Sequence, residues 1–154
     1  MRRNWFIVLG KKQRFRSSHP LLFPHNIERG GIFMGNYRVY VYAICKNERA
    51  FAARWMQSMR EADGVYVLDT GSTDGTPEAL TELGAQVTCE EITPWRFDTA
   101  RNRSLELVPA DADICVCTDL DEYFTPGWRE QVESAWAEGA QQLRYPYVWS
   151  FNAD

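Results

Sequence analysis

The chain has 154 residues, 45% hydrophobic and 25% charged, with a formal net charge of −4. That length and balance suit a single domain with its own core and exclude a chain disordered throughout. No segment approaches the roughly 20 consecutive apolar residues of a membrane span, so none is expected.

Residues 1–36 form a basic arm, with seven Lys or Arg against the single acid Glu28, while the remainder holds ten basic and twenty acidic residues. Such an arm can meet anionic lipid or nucleic acid. The acidic body argues against a protein built to grip a phosphate backbone, and no nucleic-acid partner is expected. The apolar run Trp5 to Leu9 follows Arg2 and Arg3 like the start of a signal peptide, but Gly10, Lys11 and Lys12 end it too soon. Pro20, Pro24, Gly30, Gly31 and Gly35 punctuate the arm, which reads as irregular or disordered, and Met34 stands before the first strand as an alternative start.

Tyr37 to Cys45 is rich in β-branched and aromatic residues and predicts the first strand. Phe51, Ala52, Trp55, Met56 and Met59 recur at helical spacing, predicting a helix from Arg49 to Glu61 that Asp63-Gly64 ends. A second buried strand, Val65 to Leu68, runs into the loop Asp69 to Thr76. Pro77 suits an early helical position, a short helix covers Glu78 to Leu83, and Val87 to Cys89 is a third strand. Pro94 to Asp98 reads as a loop and Thr99 to Leu107 as a helix with Ala100, Leu105 and Leu107 inward and Arg101, Asn102 and Arg103 polar. Ile114 to Thr118 is the fourth strand, Pro126 to Trp136 a further helix, and Leu143 to Phe151 a last strand. Strands alternating with helices predict a mostly parallel α/β sheet with right-handed crossovers. Cys45, Cys89, Cys115 and Cys117 contain no CxxC pair, and three lie in apolar strand-like runs. They read as reduced thiols of a cytoplasmic protein.

Two stretches carry chemistry. The loop Asp69 to Thr76 joins a strand to a helix, and its glycines let backbone approach a ligand, although a plain βα turn capped by Asp74 has the same composition. It is neither a Walker A loop nor G-x-G-x-x-G. The apolar run Ile114 to Thr118 ends abruptly in Asp119, Asp121 and Glu122. A solvated acidic turn is one reading. The other is a divalent-cation site, since clustered carboxylates repel unless a cation offsets them and hard oxygens suit Mg2+ or Mn2+. Arg101 is the obvious cationic partner. His19 and His25 lie in the arm without a matching cluster, and no Ser/His/Asp or Cys/His constellation is recognisable.

Four motifs occur in order: Cys45-Lys46-Asn47-Glu48, Leu68 to Thr76, Phe97-Asp98-Thr99-Ala100-Arg101-Asn102, and Asp119-Leu120-Asp121-Glu122. Together they resemble the nucleotide-sugar-binding half of a family 2 type glycosyltransferase with the GT-A fold, over about Tyr37 to Phe151. The resemblance implies a Rossmann-like, mostly parallel sheet flanked by helices, with residues 1–36 as the arm and 37–154 as a donor-binding domain incomplete at its C-terminus. It implies that Asn47, Glu48 and Asp69 surround the base and ribose of a nucleotide-diphosphate sugar, most often a UDP-sugar, with Arg101 near the base or diphosphate. Asp119 and Asp121 would form the DxD pair, Asp121 on Mn2+ or Mg2+ and Asp119 on ribose or a metal-bound water, in an inverting transfer to a glycan, lipid or protein acceptor.

Two departures stand out. Many members carry a second acid where Thr70 stands. The family's catalytic base lies downstream of the DxD, where few residues remain, so the expectation is a truncated transferase, or alternatively a donor-binding fragment or pseudoenzyme without turnover. A more distant alternative takes Asp119-Leu120-Asp121 as the nucleophile motif of a haloacid-dehalogenase type phosphatase, but Tyr123 stands where that motif has Thr or Val.

Overall fold

The computed structural model describes residues 8–10 and 37–144. The order of elements is β1 (Val8–Gly10), β2 (Val39–Cys45), α1 (Arg49–Met59), β3 (Gly64–Asp69), α2 (Thr76–Glu82), β4 (Gln86–Cys89), α3 (Phe97–Glu106), β5 (Ile114–Cys117), α4 (Trp128–Ala137) and β6 (Gln142–Leu143). The strands form one sheet in the order β4-β3-β2-β5-β1-β6. Strands β2 to β5 are mutually parallel, and β1 runs antiparallel to both of its neighbours, β5 and β6.

Period-two alternation divides the core. Val39, Val41, Ala43 and Cys45 of β2 face one side of the sheet, with Val65, Val67, Ile114 and Val116, against Ala52, Trp55 and Met59 of α1, Leu80 of α2 and Trp128 and Val132 of α4. Tyr42, Tyr66, Cys115 and Cys117 face the other side with Leu105, and Ala100 of α3 packs there on Ile44 and Leu68. The chain steps outward from β2 to β3 to β4 and then returns to the far flank of β2 for β5. Right-handed crossovers therefore put α1 and α2 on one face and α3 on the other. The reversal lies between β2 and β5, adjacent and parallel strands whose carboxyl ends open into a crevice.

Differences from the sequence expectations concern edges and faces. Three residues of the arm, Val8–Gly10, form a strand, their backbone pairing in register with Ile114 to Val116. The rest of the arm, and all of the expected last strand beyond Arg144, lies outside the described residues. Helix α3 begins at Phe97, inside the expected loop, and Arg101, expected on its polar side, is only 5% exposed. Helix α4 begins at Trp128, after Gly127 at φ 86°, rather than at Pro126.

Arg129 fastens α4 to the rest of the domain. Its guanidinium donates to Asp63 Oδ1 and Oδ2 (both 3.0 Å), Glu61 O (2.8 Å), Tyr37 O (3.0 Å) and Glu133 Oε1 (2.9 Å). Glu61 in turn accepts from the N–H groups of Gly127 and Arg129, serving two donors at the helix start that have no partner within the helix. Among the described residues, no helix is long and apolar enough to cross a membrane.

Candidate donor and metal site

Three chain segments meet at the crevice between β2 and β5. The first is the β2–α1 link, Lys46 to Glu48, locked onto the loop that follows β3. Asn47 sits at φ 58°, a left-handed conformation that asparagine tolerates better than most residues. Its N–H donates to Ser72 Oγ (2.7 Å), and its Oδ1 accepts from Thr73 N–H (2.8 Å). Glu48 N–H donates to Thr76 Oγ1 (2.9 Å) and Arg49 N–H to Asp74 Oδ2 (3.1 Å). The Glu48 and Arg49 amides at the start of α1 are thus satisfied by side chains of the loop after β3.

The second segment, Asp69 to Thr76, is organised by Asp69. Its Oδ1 accepts from the N–H groups of Gly71 (3.0 Å) and Ser72 (2.9 Å), and its Oδ2 from the Ser72 hydroxyl and the Cys45 thiol (3.3 Å). Burial pushes the Asp69 pKa up, but the Ser72 hydroxyl and the backbone donors more than offset it and hold the carboxyl below its usual range. All four lone-pair sites of the carboxylate are occupied by this loop and by Cys45. Thr70 is buried, its hydroxyl and N–H both donating to Cys45 O. Thr70, where the resemblance led one to expect a second acid, is thereby fastened to the end of β2. Gly71 (φ 106°) and Gly75 (φ 83°) take backbone conformations that side chains disfavour, and a Cβ on Gly75 would stand 3.0 Å from the Arg49 guanidinium.

The third segment is the turn after β5. Leu120 is fully buried in the core, which turns its neighbours Asp119 and Asp121 outward. Glu122 folds back beneath them, its Oε2 accepting from Asp119 N–H (3.1 Å) and the Thr118 hydroxyl (3.3 Å). From α3, Arg101 donates to Thr118 O (3.3 Å) and pairs with Asp119 Oδ1, while its guanidinium lies 5.1 Å from the centre of the Phe97 ring. The structure therefore brings Arg101 and Asp119 into direct contact. Glu48 joins them electrostatically: burial pushes its pKa up, followed by the charge of Asp121, with the Lys46 backbone and Arg101 acting in the opposite sense.

Asp119, Asp121 and Glu122 each offer a carboxylate oxygen within 4.8 Å of the others. Glu122 is pushed up to about 8, first by burial and next by Asp121, with Thr118 and Arg101 lowering it. Four acids, counting Glu48, thus crowd a crevice whose nearby buried cation is Arg101, and Asp121 is the exposed member of the group. A set of hard, clustered oxygens with surplus negative charge fits a divalent cation of the Mg2+ or Mn2+ type. By contrast, the open groove of about 400 Å3 lined by Pro77, Glu78, Thr81, Glu82, Val87 and Cys89 flanks the β4 edge and contains none of these groups.

Sequence reasoning passed over Arg54, which donates to Asp121 O (3.3 Å) and covers the Tyr123 ring. Its only sequence signal is its position beside the inward stripe Ala52, Trp55 and Met59.

The family model described as Glycosyl transferase family 2 matches residues 40–143. A TPR repeat-containing protein of Synechococcus elongatus is 31% identical over 115 residues, 74% of this chain and 26% of its own length. Among solved structures, a mannosyltransferase from Pyrobaculum calidifontis in complex with GDP-Man and Mn2+ aligns with a TM-score of 0.50 and 27% identity, over 66% of this chain and 32% of its own. Glucosyl-3-phosphoglycerate synthase of M. tuberculosis aligns with a TM-score of 0.46 and 23% identity, over 56% of this chain and 36% of its own. The chain thus spans about a quarter to a third of the lengths of these proteins.

Proposed function

The chain belongs to glycosyl transferase family 2, and from that premise we propose that its β2–β5 crevice binds a nucleotide-diphosphate sugar, a UDP-sugar in the first instance, together with Mn2+ or Mg2+. The observation that carries the reading is the convergence of Glu48, Asp119, Asp121 and Glu122 around Arg101 at the sheet's switch point. The GDP-Man and Mn2+ in the Pyrobaculum mannosyltransferase support the ligand class and make GDP the second nucleotide to test.

Each residue takes a role consistent with its contacts. Asp121, exposed and with no hydrogen bond to its carboxylate from the described residues, is the principal metal ligand. Asp119 is the second, or contacts the ribose or a metal-bound water, with Arg101 fixing its orientation. When bound, the divalent ion offsets the charge of the leaving diphosphate as the sugar is transferred with inversion to a glycan, lipid or protein acceptor. Asn47 and Asp69 hold the loops that border the base and ribose, and Asp69 meets the base by exchanging one of its present bonds. Glu48 completes the donor-facing wall. A cytoplasmic setting is part of the proposal, in keeping with the buried thiols of Cys45 and Cys117.

A donor-binding role without turnover is the second reading. Among the described residues Asp119 is paired with Arg101 and Glu122 holds the turn, which leaves few acids free to accept a proton from an acceptor hydroxyl. Isothermal titration with UDP and GDP in Mn2+ tests the site. We expect binding by the intact chain and at least about tenfold weaker binding in Asp121→Ala. Binding unaffected by that substitution would refute the assignment, and sustained transfer from a donor sugar would eliminate the second reading.

A further inference from the structure

The two ends of the carboxylate turn are secured differently. At Asp119, the Glu122 carboxylate, the Arg101 guanidinium and the buried Leu120 side chain all act on consecutive residues. At Asp121, the side chain from elsewhere in the described fold that reaches the backbone is Arg54 of α1, which donates to Asp121 O at 3.3 Å. The same guanidinium carbon lies 4.7 Å from the centre of the Tyr123 ring, two residues farther along. Tyr123 is 45% exposed, and this contact gives the ring a partner outside the core.

We propose that Arg54, seated on Tyr123, is a positioning residue for Asp121, setting the direction in which this carboxylate faces the crevice. The proposal rests on the donor-site reading above. Helix α1 is tied at its start by the Glu48 and Arg49 N–H groups to the loop after β3, so Arg54 links that loop's helix to the carboxylate turn. A planar guanidinium suits both halves of the task, since it lies flat on a ring while aiming a fixed N–H at a carbonyl. It also places a positive charge beside the surplus of acids without occupying their oxygens.

The test separates geometry from charge. Arg54→Lys keeps the charge but cannot lie flat on Tyr123, and Tyr123→Ala removes the ring while leaving Arg54 in place. Mn2+ is titrated into the full chain in the presence of UDP or GDP, whichever the unsubstituted chain binds, and the nucleotide is titrated separately in EDTA. We expect Mn2+ affinity to fall about threefold to tenfold in Arg54→Lys and in the same direction in Tyr123→Ala. Nucleotide affinity in EDTA and the thermal midpoint should stay unchanged, and Tyr123→Phe should match the unsubstituted chain. Unchanged Mn2+ affinity in both Arg54→Lys and Tyr123→Ala would overturn the proposal while leaving the donor site standing. An unsubstituted chain that binds Mn2+ with neither nucleotide would overturn both. Should Arg54→Lys fold poorly, the Tyr123 pair decides.

Discussion

Asp69 shows how one acid can organise a whole loop through its own hydrogen bonds. Its oxygens accept two backbone N–H groups, a hydroxyl and a thiol, so Asp69→Ala removes four acceptor contacts at a buried position and leaves the donors to find others. We expect a loss of about 2–4 kcal/mol in urea denaturation, more than for Asp69→Asn, which retains one acceptor oxygen. The sequence marked Asp69, Arg101, Asp119 and Asp121 as polar residues at strand ends and a helix start, where turn chemistry and spacing leave a local trace. It could not show that Arg101 is buried, because its helix repeats polar residues at 101, 102 and 103 and the deciding contact comes from Asp119 on another element. Arg54 left only its place beside the inward stripe of α1, because its contacts too are with another element.

Among the elements, α4 is held by Trp128 and Val132 in the core and by polar contacts at its start, in which Arg129 has the most partners. Arg129 satisfies acceptors from Tyr37, Glu61, Asp63 and Glu133, so Arg129→Met strands several partly buried acceptors at once. A loss of about 2–4 kcal/mol is expected, visible as a lower thermal midpoint. The same cluster sets a pH dependence. Burial pushes Asp63 up, but the hydrogen bonds from Arg129 and Val39 N–H outweigh it and hold its carboxyl below the ordinary 3.8. A depressed carboxylate contributes stability that is present above the unfolded value and lost as pH falls through the lower folded one. Asp63→Asn should therefore flatten the fall in stability below about pH 4 while leaving the slope at neutral pH unchanged, as measured by urea midpoints across pH. Helix and strand types were legible from period and turn residues. Their boundaries shifted where capping differed, as at Phe97 and at Gly127.

At the scale of the whole molecule, β1 lies between β5 and β6 and covers backbone that would otherwise form an open edge. A chain begun at Met34 lacks β1, and we expect it to melt lower and to associate with rising concentration in light scattering. Identical melting and a monomeric profile would show that β5 does not need this cover. The sequence by itself determined the succession of strands and helices and the order of the four motifs, because periodicity, turn residues and charge clusters act over a few neighbours. The tertiary structure alone decided that β5 returns to the flank of β2, that α3 crosses to the opposite face, and that β1 enters the sheet. It also joined Arg101 to Asp119, and Arg54 to Asp121 across 67 residues of chain. Such pairings are set by burial and hydrogen-bond satisfaction between distant segments. At Ile114 to Glu122 they turn an acidic strand end into one wall of a proposed metal and nucleotide crevice.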